Sequence, residues 1–268
     1  MGAVRAPAVA GQFYPADPVL LADQVDALLA GAANPRQDAA NPRHVPGNPR
    51  HAPAYVVPHA GYVYSGPTAA VAYAGLPRDT RRVVLVGPAH FAPLRGCAVA
   101  SAEAWRTPLG EVPVEDAAAL VDAGLVTVDD DAHAREHSLE VQLPFLQRVL
   151  AGSFGVLPIA VGSAAAGEVA AVISAALAPG SVLLCSTDLA HYEPDERARV
   201  QDAATLRAVV GLRSADVGVR DACGVFALRG LLAWAGTQGR TPTVLHYATS
   251  ADTAGDASRV VGYAAVAL

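Results

Sequence analysis

Apolar positions along the chain fall into two patterns that alternate with each other. Continuous aliphatic runs at Tyr55-Val-Val, Arg82-Val-Val-Leu-Val, Val156 to Val161 and Val182-Leu-Leu-Cys185 predict strands buried on both faces. Gly96 to Ala100, Val112 to Val114, Thr243 to Ala248 and Val260 to Val266 predict further strands. Between them lie helical patterns. Asp17-Pro18 followed by Leu20, Leu21, Val25, Leu28 and Leu29 reads as an N-cap, a first-turn proline and an amphipathic helix. Helices are also predicted at Ser65 to Leu76, Glu115 to Ala123, Ser138 to Leu150, Ala166 to Leu177, Asp195 to Val210 and Cys223 to Ala235. Pro144 falls inside the Ser138 to Leu150 helix and predicts a kink there. Strands interleaved with helices indicate an α/β fold, a single layered domain over 1–268 with a central, mostly parallel or mixed sheet flanked by helices.

Two segments depart from this alternation. Asn34-Pro-Arg, Asn41-Pro-Arg and Asn48-Pro-Arg recur every seven residues and have no apolar face. They predict a mobile, Pro-rich insertion loop at about 32–53, where His44 and His51 would lack fixed geometry. Val169 to Thr187 is uncharged and approaches the length of a bilayer span. Pro179-Gly180 splits it, so it reads as a buried helix, a turn and a buried strand.

Composition narrows the function. The 268 residues are 52% hydrophobic and 16% charged, so a large core forms without disulfides. A net charge of −6 argues against nucleic acid as a partner. All 19 basic residues are arginine, which excludes Schiff-base, pyridoxal-phosphate and P-loop lysine chemistry. Cys97, Cys185 and Cys223 form no CxxC and do not pair evenly, which suits a reducing cytoplasm. The first residues carry no signal-peptide pattern, and no membrane association is expected.

Three predicted strands end in polar groups at the edge where open α/β sheets bind ligands. They lead into Pro58-His59-Ala-Gly61, Gly87-Pro88-Ala-His90 and Ser186-Thr-Asp188-Leu-Ala-His191. Two neutral imidazoles on rigid turns suit a first-row transition metal. The third ligand is open between Cys223, at a predicted helix start that would favour thiolate, and Asp188. Cys97 and Cys185 read as small core residues. In Glu136-His137-Ser-Leu-Glu140-Val-Gln142, His137 either caps a helix or lines the crevice, while Glu140 and Gln142 fall away from the apolar stripe. His133 reads as solvated. The order is not HExxH, so a zinc hydrolase is the weakest reading. Trp105-Arg-Thr-Pro-Leu reads as a shaped loop.

The sequence resembles the MEMO family, whose bacterial and archaeal members are named AmmeMemoRadiSam system protein B. The matching stretches include Pro7-Ala-Val-Ala-Gly-Gln-Phe-Tyr-Pro15, Pro58-His-Ala-Gly-Tyr-Val-Tyr-Ser-Gly66, Gly87-Pro-Ala-His90, Thr107-Pro-Leu-Gly110, Glu136 to Leu146, Ser186-Thr-Asp-Leu-Ala-His-Tyr192, Cys223-Gly224 and Val261-Gly-Tyr263. The resemblance implies a fold like the catalytic subunit of class III extradiol dioxygenases. It implies His59, His90 and Cys223 as metal ligands, with Cys223 where those dioxygenases carry glutamate. It places Asp188 and His191 in the catalytic pocket, His191 as a proton carrier; His137, if it lines the crevice, is a further candidate catalytic residue. Implied cofactors are iron or copper, with zinc as a further option. Implied functional associates are a radical-SAM protein and an AMMECR1-domain protein. A metal-dependent, dioxygenase-like redox activity on an unidentified small substrate is the leading expectation. A non-catalytic module that binds a ligand or peptide through Tyr62, Tyr64, Trp105 and Arg106 is the alternative. A metal-free Cys223 nucleophile is a third.

Overall fold

The computed structural model describes residues 3–32 and 52–268; the Asn-Pro-Arg repeat, with His44 and His51, lies outside the described residues. The centre of the molecule is a nine-stranded mixed sheet. Four of its strands run parallel side by side: β2 (Ala54–Val57), β9 (Val182–Ser186), β3 (Arg82–Pro88) and β8 (Gly155–Val161). Antiparallel β12 (Val260–Ala267) extends the sheet beyond β2 and also pairs with β11 (Thr243–Thr249) and β10 (His191–Glu193). At the other end β4 (Cys97–Val99) runs antiparallel to β8 and parallel to β7 (Thr127–Val128).

The continuous apolar runs form these central strands because both faces are covered. Along β3, Val84 and Val86 enter one core cluster, while Val83 and Leu85 enter the other. The first cluster is closed by α6 (Ala166–Ala176) and α8 (Val225–Thr237), through Val169, Ile173, Leu228 and Leu231. The second is closed by α1 (Pro18–Ala32), α2 (Tyr62–Tyr73) and α5 (Leu143–Val149), through Leu21, Val25, Ala70 and Phe145. Each fully buried aliphatic side chain contributes about 1.5–3 kcal/mol relative to exposure. The expected cap on α1 is present: Asp17 Oδ1 accepts from the amides of Val19 and Leu20, both at 2.9 Å. The uncharged stretch from Val169 resolves into the remainder of α6, a turn at Gly180 and β9. Among the described residues no helix is long and apolar enough to cross a membrane.

Three sequence expectations change. Residues 138–150 do not form one kinked helix: a 3-10 turn at Glu140–Gln142 precedes α5, and Pro144 sits in the first turn of α5. A proline has no amide hydrogen to donate, and the first turn asks for none. Trp105 to Leu109 is not an isolated loop but part of a hairpin between β5 (Ala104–Thr107) and β6 (Gly110–Pro113), which pairs with β1 (Val4–Arg5) in a small second sheet. His133 is buried rather than solvated, its ring 5.6 Å from that of Trp105 and its Nε2 3.1 Å from the carbonyl of Ala98.

Burial holds the His133 pKa down at about 4, whereas an unfolded histidine titrates near 6.5. Below pH 6.5 the unfolded chain therefore takes up a proton that the native chain refuses, and stability falls as pH drops towards 4. This one group is expected to remove about 2–3 kcal/mol between pH 7 and 4.5. Urea unfolding at both pH values, in the wild type and His133→Gln, isolates it. An identical pH response in the two proteins would rule it out.

Candidate metal centre

The parallel strands deliver their carboxyl ends to one edge. β2 runs into Pro58-His59, β9 into Thr187-Asp188 and β3 into Ala89-His90, and these three strands are neighbours in the order β2, β9, β3. The three loops therefore must meet. His137, from the turn ahead of the 3-10 segment, completes a triangle of imidazoles. Its ring lies 5.0 Å from that of His90, nearly parallel, and 5.4 Å from that of His59; His59 and His90 are 5.3 Å apart. One ring nitrogen from each of His59, His90 and His137 lies within 4.8 Å of the others, and the three could hold a metal ion. Cys223, just ahead of α8, is outside this trio, but its Sγ is 3.1 Å from His59 Nε2. Asp188, His191 and Cys223 line the same cavity as the three histidines, a space of about 1260 Å³. Phe13 and Phe91 flank His137 at ring distances of 4.5 and 5.7 Å.

Close approach of the backbones makes this edge compact. A Cβ on Gly87 would stand 2.9 Å from Leu139 Cδ2 and 3.1 Å from both Ser138 Oγ and Ser186 Cβ. Gly87 is thus required for contact between β3, β9 and the His137 turn rather than for a sharp bend.

His59 and His137 are kept neutral, the form that donates to a metal. Burial lowers the His59 pKa well below its usual value, and the neighbouring His90, His137 and His191 lower it further. Burial brings His137 to about 4. Burial also opposes ionisation of Glu136, yet hydrogen bonds from the His90 ring and from the His90 and Ser138 amides outweigh it and hold the acid at about 2. The carboxylate so formed accepts His90 Nδ1–H at 3.0 Å and leaves His90 Nε2 as the donor atom. His137 Nδ1 is buried, has no hydrogen-bond partner and lies 3.7 Å from Glu136 Oε1. Asp188 is pushed up to about 7 by burial, against the pull of the amides of His59 and Ala60. Its Oδ1 accepts the amide of His59 at 2.8 Å; among the described residues it makes no hydrogen bond to His191. His191 Nδ1 instead donates to the carbonyl of Leu189 at 2.7 Å, which points the bare Nε2 elsewhere.

The expectation of a helix-activated thiolate at Cys223 is not met. Burial, reinforced by the negative charge of Asp188, pushes the thiol up to about 12, and this outweighs the amides of Asp188 and Gly224. Cys97 and Cys185 are buried in strands, as core residues. Of the four contacts expected for a binding module, only Tyr64 lines the cavity. Tyr62 is buried and donates to Val141, Trp105 lies under Arg5, and Arg106 is at the surface paired with Glu111. Sequence reasoning missed the partners behind the histidines: Glu136 on His90, and Ser186 with Gln142 on His59. The signal that could have found them was the density of polar residues in Glu136 to Gln142 beside apolar positions. Those side chains turn inward: Glu136, Ser138, Glu140 and Gln142 are all at most 1% exposed.

Fold and site together define a layered α/β protein with a histidine-rich candidate metal centre at the carboxyl edge of its sheet. The family model described as Memo-like protein matches residues 5–267. MEMO1 family proteins of Methanopyrus kandleri and Sulfolobus acidocaldarius are each 37% identical to this chain, over 98% of both sequences. One from Aeropyrum pernix is 36% identical over 98% of this chain and 99% of its own. The chain belongs to the Memo-like family.

Proposed function

We propose that the chain is a metal-dependent redox protein, a dioxygenase-like oxidoreductase acting on a small substrate. The observation that carries this reading is the convergence of His59, His90 and His137 with their donor atoms within 4.8 Å, beside the Cys223 thiol. The donor set fits a first-row transition metal: tethered imidazoles, one unpartnered buried ring nitrogen and one sulfur. His59, His90 and Cys223 are the proposed ligands, with His137 the adjacent catalytic imidazole at the same centre. Iron or copper would supply redox capacity and Lewis acidity there, whereas zinc would supply only the latter. Binding of a cation would overcome the high thiol pKa, since a coordinating thiol is deprotonated outright.

The chain's own groups then divide the remaining work. His191 Nε2, unprotonated because Nδ1–H is committed to Leu189, can take a proton from a substrate hydroxyl or thiol in the cavity. Asp188 fixes the backbone of His59 at the cavity wall. Phe13 and Phe91 hold the His137 ring between them. A cytoplasmic location and functional association with radical-SAM and AMMECR1-domain proteins belong to the same reading.

Reconstitution tests it. Metal-free protein is expected to retain about one Fe(II) or Cu(I) per chain and to take up oxygen with a catechol or a thiol, while the zinc form does not. No retention of any of the three metals would refute the reading. Retention without oxygen uptake would leave a binding module. Rapid iodoacetamide labelling of Cys223 in metal-free protein would instead support a free nucleophile, which a thiol of pKa about 12 does not favour.

A further inference from the structure

The hydrogen atoms around His59 can be counted, because every group behind its ring is buried and each has a fixed capacity to donate or accept. Gln142 fixes the first of them. Its Nε2 lies 3.1 Å from the carbonyl oxygens of both Pro58 and Ser138, which only accept, so the amide nitrogen must face them. The amide oxygen then faces Tyr73, whose hydroxyl donates to it at 2.6 Å. Ser186 Oγ lies 2.7 Å from the same Ser138 carbonyl. Two oxygens at that separation need a hydrogen between them, and only the serine has one to give. Having donated it, Ser186 can only accept: from His59 Nδ1 at 2.8 Å, and from Gln142 Nε2 at 3.0 Å, whose two hydrogens are shared among Ser186 Oγ and the two carbonyls.

We infer that Ser186, oriented by Gln142 and Tyr73, is a positioning residue that locks His59 in the tautomer with Nδ1 protonated and Nε2 bare. The lock aims the Nε2 lone pair into the donor group, where Cys223 Sγ stands 3.1 Å away. Glu136 imposes the same tautomer on His90 through a charge; Ser186 does it for His59 without one. A carboxylate behind His59 would put a second buried acid beside Asp188, and a hydroxyl whose proton is already spent avoids that. The inference rests on the reading that His59 donates to a metal, and it names what prepares the ring for that role.

The test reads the tautomer first and the metal second. Metal-free protein labelled with 15N-histidine is examined at pH 7.5 by long-range proton–nitrogen correlation, with His59 assigned by its loss in His59→Gln. The wild type is expected to show a protonated Nδ1 and an unprotonated Nε2. In Ser186→Ala the ring loses its acceptor and is expected to shift towards the Nε2–H form, donating to the Cys223 sulfur. Zinc affinity, measured by competition with a chromophoric chelator, is expected to fall roughly 10–100-fold in that variant. A protonated Nε2 in the wild type overturns the inference whether or not the variant folds. So does an unchanged His59 spectrum in Ser186→Ala, or a shifted tautomer with unchanged zinc affinity. The expected spectra with no zinc binding by the wild type would overturn the metal reading and leave the lock in place.

Discussion

Glu140→Ala is expected to cost about 3–5 kcal/mol of folding stability, a large fraction of what a domain of this kind possesses. The Glu140 carboxylate is fully buried and accepts four hydrogen bonds: from Arg5 Nη1 at 2.6 Å, the Ala8 amide at 2.7 Å, the Val9 amide at 3.0 Å and the Tyr14 hydroxyl at 2.6 Å. Arg5 is itself buried, lies 4.2 Å from the Trp105 ring centre and donates to the carbonyls of His133 and Glu136. Removing the carboxylate leaves a guanidinium out of water with no counter-charge, and that penalty dominates. Arg5→Ala should be comparably harmful, and the double variant should cost much less than the sum, because the stranded charge is then gone. Urea unfolding of the four proteins measures the coupling. Additive losses, or a Glu140→Ala loss below about 1 kcal/mol, would show that the pair does not hold the N-terminal segment down.

Loss of metal binding is the second large effect expected. His59→Ala should reduce metal content to background while the protein still unfolds cooperatively, since one small buried ring is deleted from an otherwise intact sheet edge. Glu136→Gln keeps all three imidazoles but removes the charge that orients His90, and should weaken binding by roughly 10–100-fold. Elemental analysis after dialysis against a weak chelator, with circular dichroism for the fold, separates the two. Full occupancy in His59→Ala would refute its assignment as a ligand. The same assay applied to Cys223→Ser and His137→Ala decides which side chain is the third donor: retention in the first and loss in the second would transfer that role from the thiol to the imidazole.

The positions of the reactive groups were legible because apolar core strands seldom run straight into an imidazole or a carboxylate, as these do at His59, His90 and Asp188. Each group stands just after a buried run, and buried parallel strands align their carboxyl ends. The partners that tune them were hidden. Glu136, Ser186 and Gln142 are polar residues whose meaning depends on which carbonyl or ring faces them, and those lie between 44 and 127 positions away along the chain for Gln142 with Ser186, Glu136 with His90 and Ser186 with His59. His133 misled for a related reason. Its acidic neighbours suggested water, while the chain packed its ring against Trp105 and its backbone under Arg5. The state of Cys223 also required coordinates: the start of a helix argues for thiolate, but burial beside Asp188 is the stronger influence.

By itself, the order of residues determined the alternation of buried strands and helices, the cap at Asp17, the exclusion of lysine chemistry and the family. These follow from local periodicity, residue counts and motifs, none of which needs a contact between distant segments. Only the folded chain decided that three imidazoles share one small volume, that a serine hydroxyl has already spent its proton when it meets His59, and that a glutamate near the middle of the sequence pins residues 5–14 in place. Such properties depend on burial and on hydrogen-bond direction, and both exist only once distant parts of the polypeptide have excluded water from the space between them.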